Sequence, residues 1–330
     1  MASPALTILI PTCRRSQLLR RTLESLASCV LPAHLRQVIV VENGPALGAQ
    51  DTVRRFRGRL PIVYRHVRDA SKSIALNQGL NMCRGDFVVF LDDDVRVHAA
   101  TLSAYANAVA GRNHGIFIGG RCLVDYEAVP PPWLMPYLPL SAKGWSLGES
   151  ILPLSAPHAL GFNWGAFASE VLLAGGFDTA HGPGRSIPIG EETRLQAELL
   201  AMGVAGWYVP AATVWHYVPR HRCSTAWALQ RAEFMGYCAG ETRRASLAMV
   251  RLARLAGCRL RIAGFSTALR LLGTRLAAPR RFHFAHQRAW RTGFARGLRE
   301  GAHSATKQPR SPDITKPARA RVVPVAGARP

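Results

Sequence analysis

Three adjacent aspartates, Asp92, Asp93 and Asp94, have the residue type and spacing best suited to hold a cation. They follow the segment 87–91 (FVVFL), whose uniformly apolar β-forming residues predict a strand covered on both faces. Adjacent carboxylates repel one another unless a cation lies among them, and their oxygens suit Mg²⁺ or Mn²⁺. The alternative is an acidic surface turn.

Polar residues also end two earlier predicted strands. The first strand, residues 6–10, runs into Pro11 and Thr12, and the second, residues 38–41, runs into Glu42. Strands and helices alternate along this part of the chain, which predicts an α/β fold with a mostly parallel sheet. The other predicted elements are helices at 16–27, 49–56, 71–82 and 98–110 and strands at 62–64, 115–120 and 162–167.

The carboxyl ends of parallel strands meet at one edge of a sheet, so these polar groups should line a nucleotide-sized crevice. No glycine-rich dinucleotide or Walker loop follows the first strand. This absence argues against NAD chemistry and against P-loop chemistry.

A second carboxylate pair, Glu191 and Glu192, precedes a helix predicted over 193–202. One interpretation is simple first-turn charge, which the helix dipole stabilises. The other is a general base, whose pKa must be raised by burial or by a neighbouring like charge. Two short strands are predicted next, at 207–210 and 213–217, the second of which carries His216 near its end.

Charge is distributed unevenly along the 330 residues. Residues 1–216 contain 19 Lys or Arg against 16 Asp or Glu, whereas residues 217–330 contain 23 against 4. The formal net charge of +22 therefore belongs mainly to the last third of the chain. Such a segment attracts polyanions, either anionic lipid headgroups or nucleic acid.

The basic region from 225 to about 298 reads as mostly helical. Its longest uncharged run, residues 262–269, is too short to span a bilayer. Two interpretations stay open: basic amphipathic helices that dock on an anionic membrane surface, and arginines that solubilise helices packed on the preceding domain. From about residue 301 the composition predicts disorder. The predicted division is 1–222, 223–300 and 301–330.

The seven cysteines form no Cys-x-x-Cys pair and no zinc-ligand spacing, which favours free thiols in a reducing cytoplasm. The N-terminal apolar run is too short for a signal peptide. We therefore expect a cytoplasmic location, with peripheral association at the inner face of the cell membrane as the membrane-docking interpretation requires.

The Pro- and Gly-rich segment 129–155 predicts a long irregular loop with three aromatic residues, Trp133, Tyr137 and Trp145. Loops of this kind are often lids or acceptor-binding elements. The alternative is a surface excursion whose aromatic side chains pack down onto the domain.

Six segments together resemble the family-2 inverting glycosyltransferases with the GT-A fold. They are 6–15 (LTILIPTCRR), 40–44 (VVENG), 72–80 (KSIALNQGL), 85–94 (GDFVVFLDDD), 176–178 (GFD) and 190–195 (GEETRL). Each motif is weak alone, but their order and spacing over residues 6 to about 240 make the resemblance specific.

The resemblance implies a metal site in an Asp-x-Asp motif, with Mn²⁺ or Mg²⁺ as cofactor. Asp94 would bind the metal directly, Asp92 would reach the ribose or the metal and its waters, and Asp93 would support both. His216 would lie near the diphosphate or the metal, although a buried core histidine is the alternative. Arg220 or Arg222 would neutralise the leaving phosphates.

The resemblance also implies a nucleotide-sugar site. Besides Asp92 and Asp93, its predicted residues are Pro11, Thr12, Arg15, Glu42, Lys72, Asn77 and Trp164. Trp164 would form a pocket wall, although a strand tryptophan is more often part of the core.

Two positions depart from the family pattern. Glu42 and Glu192 replace aspartates, and each keeps a carboxylate that is one methylene longer. Either Glu191 or Glu192 could therefore act as the catalytic base, and position in the motif favours Glu192.

The expected function is metal-dependent transfer of a sugar, with inversion, from a nucleotide sugar to a glycan or lipid-linked acceptor in cell-surface polysaccharide or glycolipid biosynthesis. One alternative is a metal-dependent nucleotidyltransferase, but the glycine-rich loop of that class is missing after the first strand. Another is a basic nucleic-acid-binding protein, which the near-neutral front domain and the lack of a nucleic-acid motif disfavour. We expect no nucleic-acid partner.

Overall fold

A computed structural model describes residues 3–83, 87–185, 189–244 and 246–300. Within these ranges nine strands form one sheet. The strands are β1 (Leu6–Thr12), β2 (Leu35–Asn43), β3 (Ile62–Val67), β4 (Phe87–Leu91), β5 (Val95–Val97), β6 (Ile116–Tyr126), β7 (Leu152–Leu154), β8 (Asn163–Phe167) and β9 (Ala205–Val218).

The helices lie between these strands and after them. In chain order they are α1 (Ser16–Leu26), α2 (Ala49–Arg54), α3 (Lys72–Leu80), α4 (Thr101–Ala108), α5 (Leu140–Lys143), α6 (Ala168–Leu173), α7 (Glu191–Ala201), α8 (Thr225–Thr242), α9 (Ala248–Leu272) and α10 (Ala278–Glu300), with 3₁₀ helices at Pro132–Tyr137 and Arg220–Cys223.

The sheet order is β3-β2-β1-β4-β8-β6-β9-β5, with β7 paired to β9. The first four strands are parallel, β8 runs antiparallel to β4 and β6, and β6 and β9 are parallel. Every residue of β1 and β4 is buried, as expected for strands covered on both faces. The predicted α/β fold with a mainly parallel, helix-flanked sheet is confirmed.

Two details near the three aspartates differ from the prediction. Residues 95–97 form the short strand β5, which pairs antiparallel with β9 and sets Val95 opposite His216. The two strands predicted at 207–210 and 213–217 are one strand, β9. Its register with β6 shifts next to Gly120, so the chain bulges near Pro210 and then resumes pairing.

The segment 129–155 contains short helices and β7 rather than a structureless loop. Trp133 and Tyr137 pack edge-on against Phe282 of α10, and Trp145 packs against Tyr208. The aromatic side chains therefore pack down, Trp145 onto the sheet and the other two onto α10. Residues 139–141 of the same segment nevertheless line the main cavity.

The basic region forms three helices, and glycines allow α8 and α10 to approach closely. A Cβ placed on Gly236 of α8 would overlap the carbonyl oxygen of Trp290, and one on Gly293 of α10 would overlap that of Glu233. Because these obstacles are backbone atoms, a side chain there would push the helices apart. The contact fixes the face that α8 turns to the rest of the molecule.

Helix α9 is the most exposed of the three. Its large apolar side chains Met249 and Leu260 are each at least 75% exposed, as is Leu247 directly before the helix. No helix in the described residues has the length and hydropathy needed to cross a membrane. Two sequence predictions, the role of Gly85-Asp86 and the disorder from residue 301, lie outside the described residues.

Candidate active site

An open cavity of about 1010 Å³ lies at the carboxyl ends of β1, β2 and β4. One wall consists of these strand ends and carries Asp92, Asp93 and Asp94. Residues 189–194 add Glu191 and Glu192, His181 lies on the same side, and helix α8 forms a further wall. The structure thus brings both predicted acidic clusters into one cavity.

Thr12 and Arg15, at the end of β1, bind two of the three aspartates. The Thr12 hydroxyl donates to Asp93 Oδ2 at 2.6 Å. Arg15 Nη1 donates to Asp93 Oδ1 at 3.2 Å and to Asp94 Oδ2 at 2.9 Å. These two predicted nucleotide-site residues therefore order the acidic cluster directly, and Pro11 lies beside them on the cavity wall.

Lys72 lies between the two acidic clusters, the three aspartates and the Glu191-Glu192 pair. It begins α3, which Ser71 caps, and its Nζ lies 2.7 Å from Asp92 Oδ1 and 3.6 Å from Glu191 Oε1. Burial alone would lower the pKa of Lys72, but the surrounding carboxylates outweigh it and raise this pKa above its usual range. The lysine is therefore a fixed positive charge between the clusters.

The three aspartates differ in their proton affinity. Burial raises the pKa of Asp93 to about 7, and the adjacent Asp94 adds to that rise. Burial also raises the pKa of Asp92, against the opposing effect of Lys72. For Asp94 the effect of burial is outweighed by His216 and two arginines, so its pKa lies well below its usual range. Asp94 is thus the most firmly ionised of the three.

His216 faces Asp94 from strand β9. Its Nδ1 lies 2.6 Å from the carbonyl oxygen of Ser141, which can only accept, so Nδ1 carries a proton. Its Nε2 lies 3.4 Å from Asp94 Oδ1, and its ring stacks on Phe162. A lone pair on Nε2 would repel the carboxylate, so a proton or a metal ion between the two atoms makes this contact favourable.

The chemistry of this pair fits a divalent metal. Asp94 Oδ1 is buried and accepts no hydrogen bond. The Ser141 carbonyl orients the imidazole, as backbone carbonyls do for many metal-binding histidines. Asp92 instead pairs with Lys72. No cluster of three His, Cys, Asp or Glu side chains in the described part of the chain is arranged to hold a metal by itself. Two protein ligands suffice where substrate phosphates and waters supply the rest.

Glu191 and Glu192 occupy the first turn of α7, after Gly190 with its left-handed φ of 94°. The Glu192 carboxylate approaches Gly161 so closely that a Cβ there would lie 3.0 Å from Glu192 Cδ. Burial, followed by the charge of Glu191, raises the pKa of Glu192 to about 8. This value suits a general base near neutral pH.

Three predicted nucleotide-site residues, Glu42, Asn77 and Trp164, do not line this cavity. Glu42 is buried and accepts hydrogen bonds from the Leu47 amide and the Tyr64 hydroxyl. Asn77 holds the backbone of Phe177 through both its amide atoms, at 2.8 Å each. Both side chains support the site from behind.

Trp164 is fully buried. Its ring stacks on Phe90, with the centroids 4.7 Å apart, and packs against Phe117 and Phe177. The structure therefore places Trp164 in the core, where strand tryptophans usually lie, and not on a pocket wall.

Of the two predicted leaving-group arginines, Arg222 lines the cavity, with Nη1 3.9 Å from Asp94 Oδ2. Arg220 donates its backbone amide to Glu127 instead, outside the cavity. The difference arises because the 3₁₀ helix 220–223 points successive side chains in different directions.

Helix α8 contributes cavity residues that the sequence prediction missed. They are Trp227, Arg231, Met235, Cys238, Glu241 and Thr242. A signal was present, because positions 227, 231, 235, 238 and 242 recur at helical spacing on one face.

An ionic network ties α8 to the segment before α7. His181 Nδ1 lies 2.9 Å from Asp178 Oδ2, and its Nε2 lies 3.4 Å from Glu241 Oε2 on α8. Arg194 Nε lies 3.3 Å from the same Asp178 oxygen. The network joins the Gly-Phe-Asp motif at 176–178 to α8.

The family model described as Glycosyl transferase family 2 matches residues 7–169. Succinoglycan biosynthesis protein ExoM of Rhizobium meliloti is 29% identical over 229 residues, which are 67% of this chain and 69% of ExoM. Validoxylamine A glucosyltransferase of Streptomyces hygroscopicus subsp. jinggangensis is 30% identical over 121 residues, 36% of this chain and 29% of that protein.

Among solved structures, the mannosyltransferase PcManGT of Pyrobaculum calidifontis, in complex with GDP-Man and Mn²⁺, superposes with a TM-score of 0.59 at 19% identity. The match covers 90% of this chain and 88% of PcManGT, so it extends over the C-terminal helices. The fold, the order of the motifs and the family match agree. Residues 7–169 of this chain form a glycosyltransferase domain of family 2, and the chain has the GT-A fold.

Proposed function

We propose that this enzyme transfers a sugar, with inversion and with the help of a divalent metal, from a nucleotide sugar to a glycan or lipid-linked acceptor in polysaccharide or glycolipid biosynthesis. The observation that carries the proposal is Lys72, which lies between Asp92 and Glu191 in one cavity. The similarity to ExoM, a succinoglycan biosynthesis protein, supports a polysaccharide product. The GDP-Man and Mn²⁺ bound to PcManGT support a nucleotide-sugar donor and a metal.

Asp94 and His216 would hold Mn²⁺ or Mg²⁺, and Asp92 would contact the metal's waters or the ribose. When bound, the metal supplies positive charge that stabilises the departing diphosphate. The chain contributes positive charge of its own: Arg15 and Arg222 lie within 4 Å of Asp94, and Lys72 lies beside Asp92. We propose that these side chains bind and orient the donor diphosphate.

Glu192 is the proposed base. The acceptor hydroxyl oxygen attacks the anomeric carbon, the bond from that carbon to the diphosphate oxygen breaks, and the hydroxyl proton passes to Glu192. One displacement of this kind inverts the anomeric configuration. Glu191, paired with Lys72, raises the pKa of its neighbour and keeps the base strong.

A thermal-shift screen of sugar nucleotides with Mn²⁺, followed by product analysis, tests the proposal. We expect one donor to raise the melting temperature in a metal-dependent way, and turnover to release a nucleoside diphosphate. Release of pyrophosphate would instead identify a nucleotidyltransferase. A product with retained anomeric configuration would overturn the inversion.

The predicted domain boundary at residue 222 separates α8 from the cavity that it lines. Since α8 supplies cavity residues and shares the ionic network with His181, we propose that the catalytic unit continues to residue 242. Helices α9 and α10 then form the remaining extension.

We also propose that the exposed α9 docks on an anionic membrane surface. Its sequence contains no Asp or Glu, and large exposed apolar side chains lie among its arginines. Apolar insertion combined with basic charge is the pattern of interfacial helices. Sedimentation with phosphatidylglycerol vesicles should deplete the protein at low salt and less at high salt. Equal binding to phosphatidylcholine vesicles, or none to either, would contradict the proposal.

A further inference from the structure

One face of α8 forms a cavity wall with a composition unlike that of the strand ends. Trp227, Arg231 and Met235 follow one another at four-residue spacing, so each lies one turn above the last on the same side of the helix. An aromatic ring, a guanidinium and a flexible apolar side chain together suit a sugar that carries an anionic group.

Arg231 is the charged member of this face and lacks an ionic partner. No carboxylate of the described residues forms an ion pair with it, and its buried Nε makes no hydrogen bond. Its contact is a cation–π approach to the Trp227 ring at 5.7 Å. By contrast, Arg15 and Lys72 in the same cavity each pair with an aspartate at 3 Å or less.

Arg231 lies on the side of the proposed base. Burial lowers its pKa, and Glu192 is the charged neighbour that opposes this most. Arg222, whose charge also lowers the pKa of Arg231, lies beside Asp94, on the side where the donor diphosphate is proposed to bind. The acceptor hydroxyl must reach Glu192. A ligand group that binds beside Arg231 would therefore belong to the acceptor.

We propose that Arg231 and Trp227 form an acceptor subsite that binds an oxyanion carried by the acceptor, with the guanidinium on the oxyanion and the indole against the adjoining sugar. The oxyanion is either a sugar carboxylate or the phosphate that links a sugar to its lipid carrier. This inference rests on the proposed function, because it takes Glu192 as the base and the Asp94 side as the donor site.

Calorimetric titration of the full chain, with the donor side filled by Mn²⁺ and the nucleoside diphosphate that it binds, tests the subsite. The charged probes are glucuronate and farnesyl phosphate, and their neutral counterparts are glucose and farnesol. We expect one charged probe to bind more tightly than its neutral counterpart, and Arg231→Gln to remove about tenfold or more of that preference. The responding probe identifies the source of the oxyanion.

Arg231→Lys should retain part of the preference, since it keeps the charge without the planar fork. Arg57→Gln, an exposed charge loss remote from the cavity, should leave it intact. The subsite is refuted if neither charged probe is preferred, if Arg231→Gln and Arg231→Lys both preserve the preference, or if Arg231→Gln weakens nucleoside diphosphate binding as much as Arg222→Gln does. Failure of the wild-type chain to bind any nucleoside diphosphate would refute the proposed function itself.

Discussion

The two walls of the cavity are built by different physical means. On the strand-end wall the charges are paired and held in place: Asp93 by Thr12 and Arg15, and Asp92 by Lys72. On the α8 wall, Arg231 has a buried nitrogen without a hydrogen bond, and Met235 is about half exposed. The first wall is largely preorganised by its protein partners, although Asp94 Oδ1 accepts no hydrogen bond, whereas the second leaves its guanidinium open to a ligand.

This difference teaches which parts of the site tolerate change. A paired, buried charge that loses its partner leaves an uncompensated charge in a medium of low dielectric, which is costly. An open subsite can exchange residues without that penalty. Substitutions in the strand-end wall should therefore abolish the reaction, while those on α8 should alter the acceptor preference.

The largest effect should come from Glu192→Gln. It preserves the shape of the side chain but removes the proton acceptor, so we expect the transfer rate to fall by about 10²–10⁴-fold. Affinity for the nucleotide sugar, measured by calorimetry, should change little. Glu191→Gln is the matched control and should cost less, because it removes a neighbour of the base. A reversed order of the two variants would assign the base to Glu191.

Asp94→Asn should have the next largest effect, on donor binding. It removes the ionised carboxylate that faces His216, so metal-dependent affinity for the nucleoside diphosphate should drop by about 100-fold or more. Binding measured with Mn²⁺ and with EDTA separates the metal's contribution. Asp51→Asn, an exposed acid in α2, is the control. Equal affinity of Asp94→Asn and wild type in Mn²⁺ would exclude Asp94 as a metal ligand.

The contrast between the walls also explains what the sequence could predict. The three adjacent aspartates and Glu191-Glu192 are local patterns: acids directly after a buried strand, and acids at a helix start. These features depend on short segments and on the sheet edge that α/β topology provides, so the sequence was sufficient to predict them. The contact between His216 and Asp94 depends in addition on β5, the unpredicted short strand that pairs with β9 and sets Val95 opposite His216.

The role of helix α8 as a cavity wall could not be predicted in the same way. The helix belongs to the same C-terminal basic region as the exposed α9, and helical spacing alone does not say what a face contacts. The distinction lies in Gly236 and Gly293, which let α8 and α10 pack backbone to backbone and so orient the face that carries Arg231. Similarly, the longer side chain of Glu42 gave no hint that Tyr64 and the Leu47 amide would bind it.

Gly293→Val should displace α8 and so disturb the α8 wall more than the strand-end wall. The added side chain meets the carbonyl oxygen of Glu233, so we expect a loss of about 1–3 kcal/mol in the free energy of unfolding. Because α8 would shift, acceptor-dependent turnover should fall more than nucleoside diphosphate binding. Gly264→Ala is the control: nothing lies within 4 Å of a Cβ on Gly264, and the higher helix propensity of alanine should stabilise α9 slightly. Equal unfolding energies for both variants would contradict the close α8–α10 contact.

The smallest and sharpest effect concerns pH. Glu192 must be deprotonated to act as base, and its pKa is raised to about 8 by burial and by Glu191. Below that pH, kcat/KM should therefore rise by about tenfold per pH unit, and it should level off above it.

Glu191→Gln removes the neighbouring negative charge, so the inflection of this pH profile should move to lower pH. The rate profile of Arg231→Gln with a neutral acceptor tests the α8 wall: loss of a nearby positive charge should move the same inflection to higher pH, since a cation favours the ionised carboxylate. A wild-type profile that is flat between pH 6 and 8 would contradict the prediction, because the rate would then not depend on the ionisation of Glu192. Opposite displacements in the two variants would show that charges on α7 and on α8 both act electrostatically on one base.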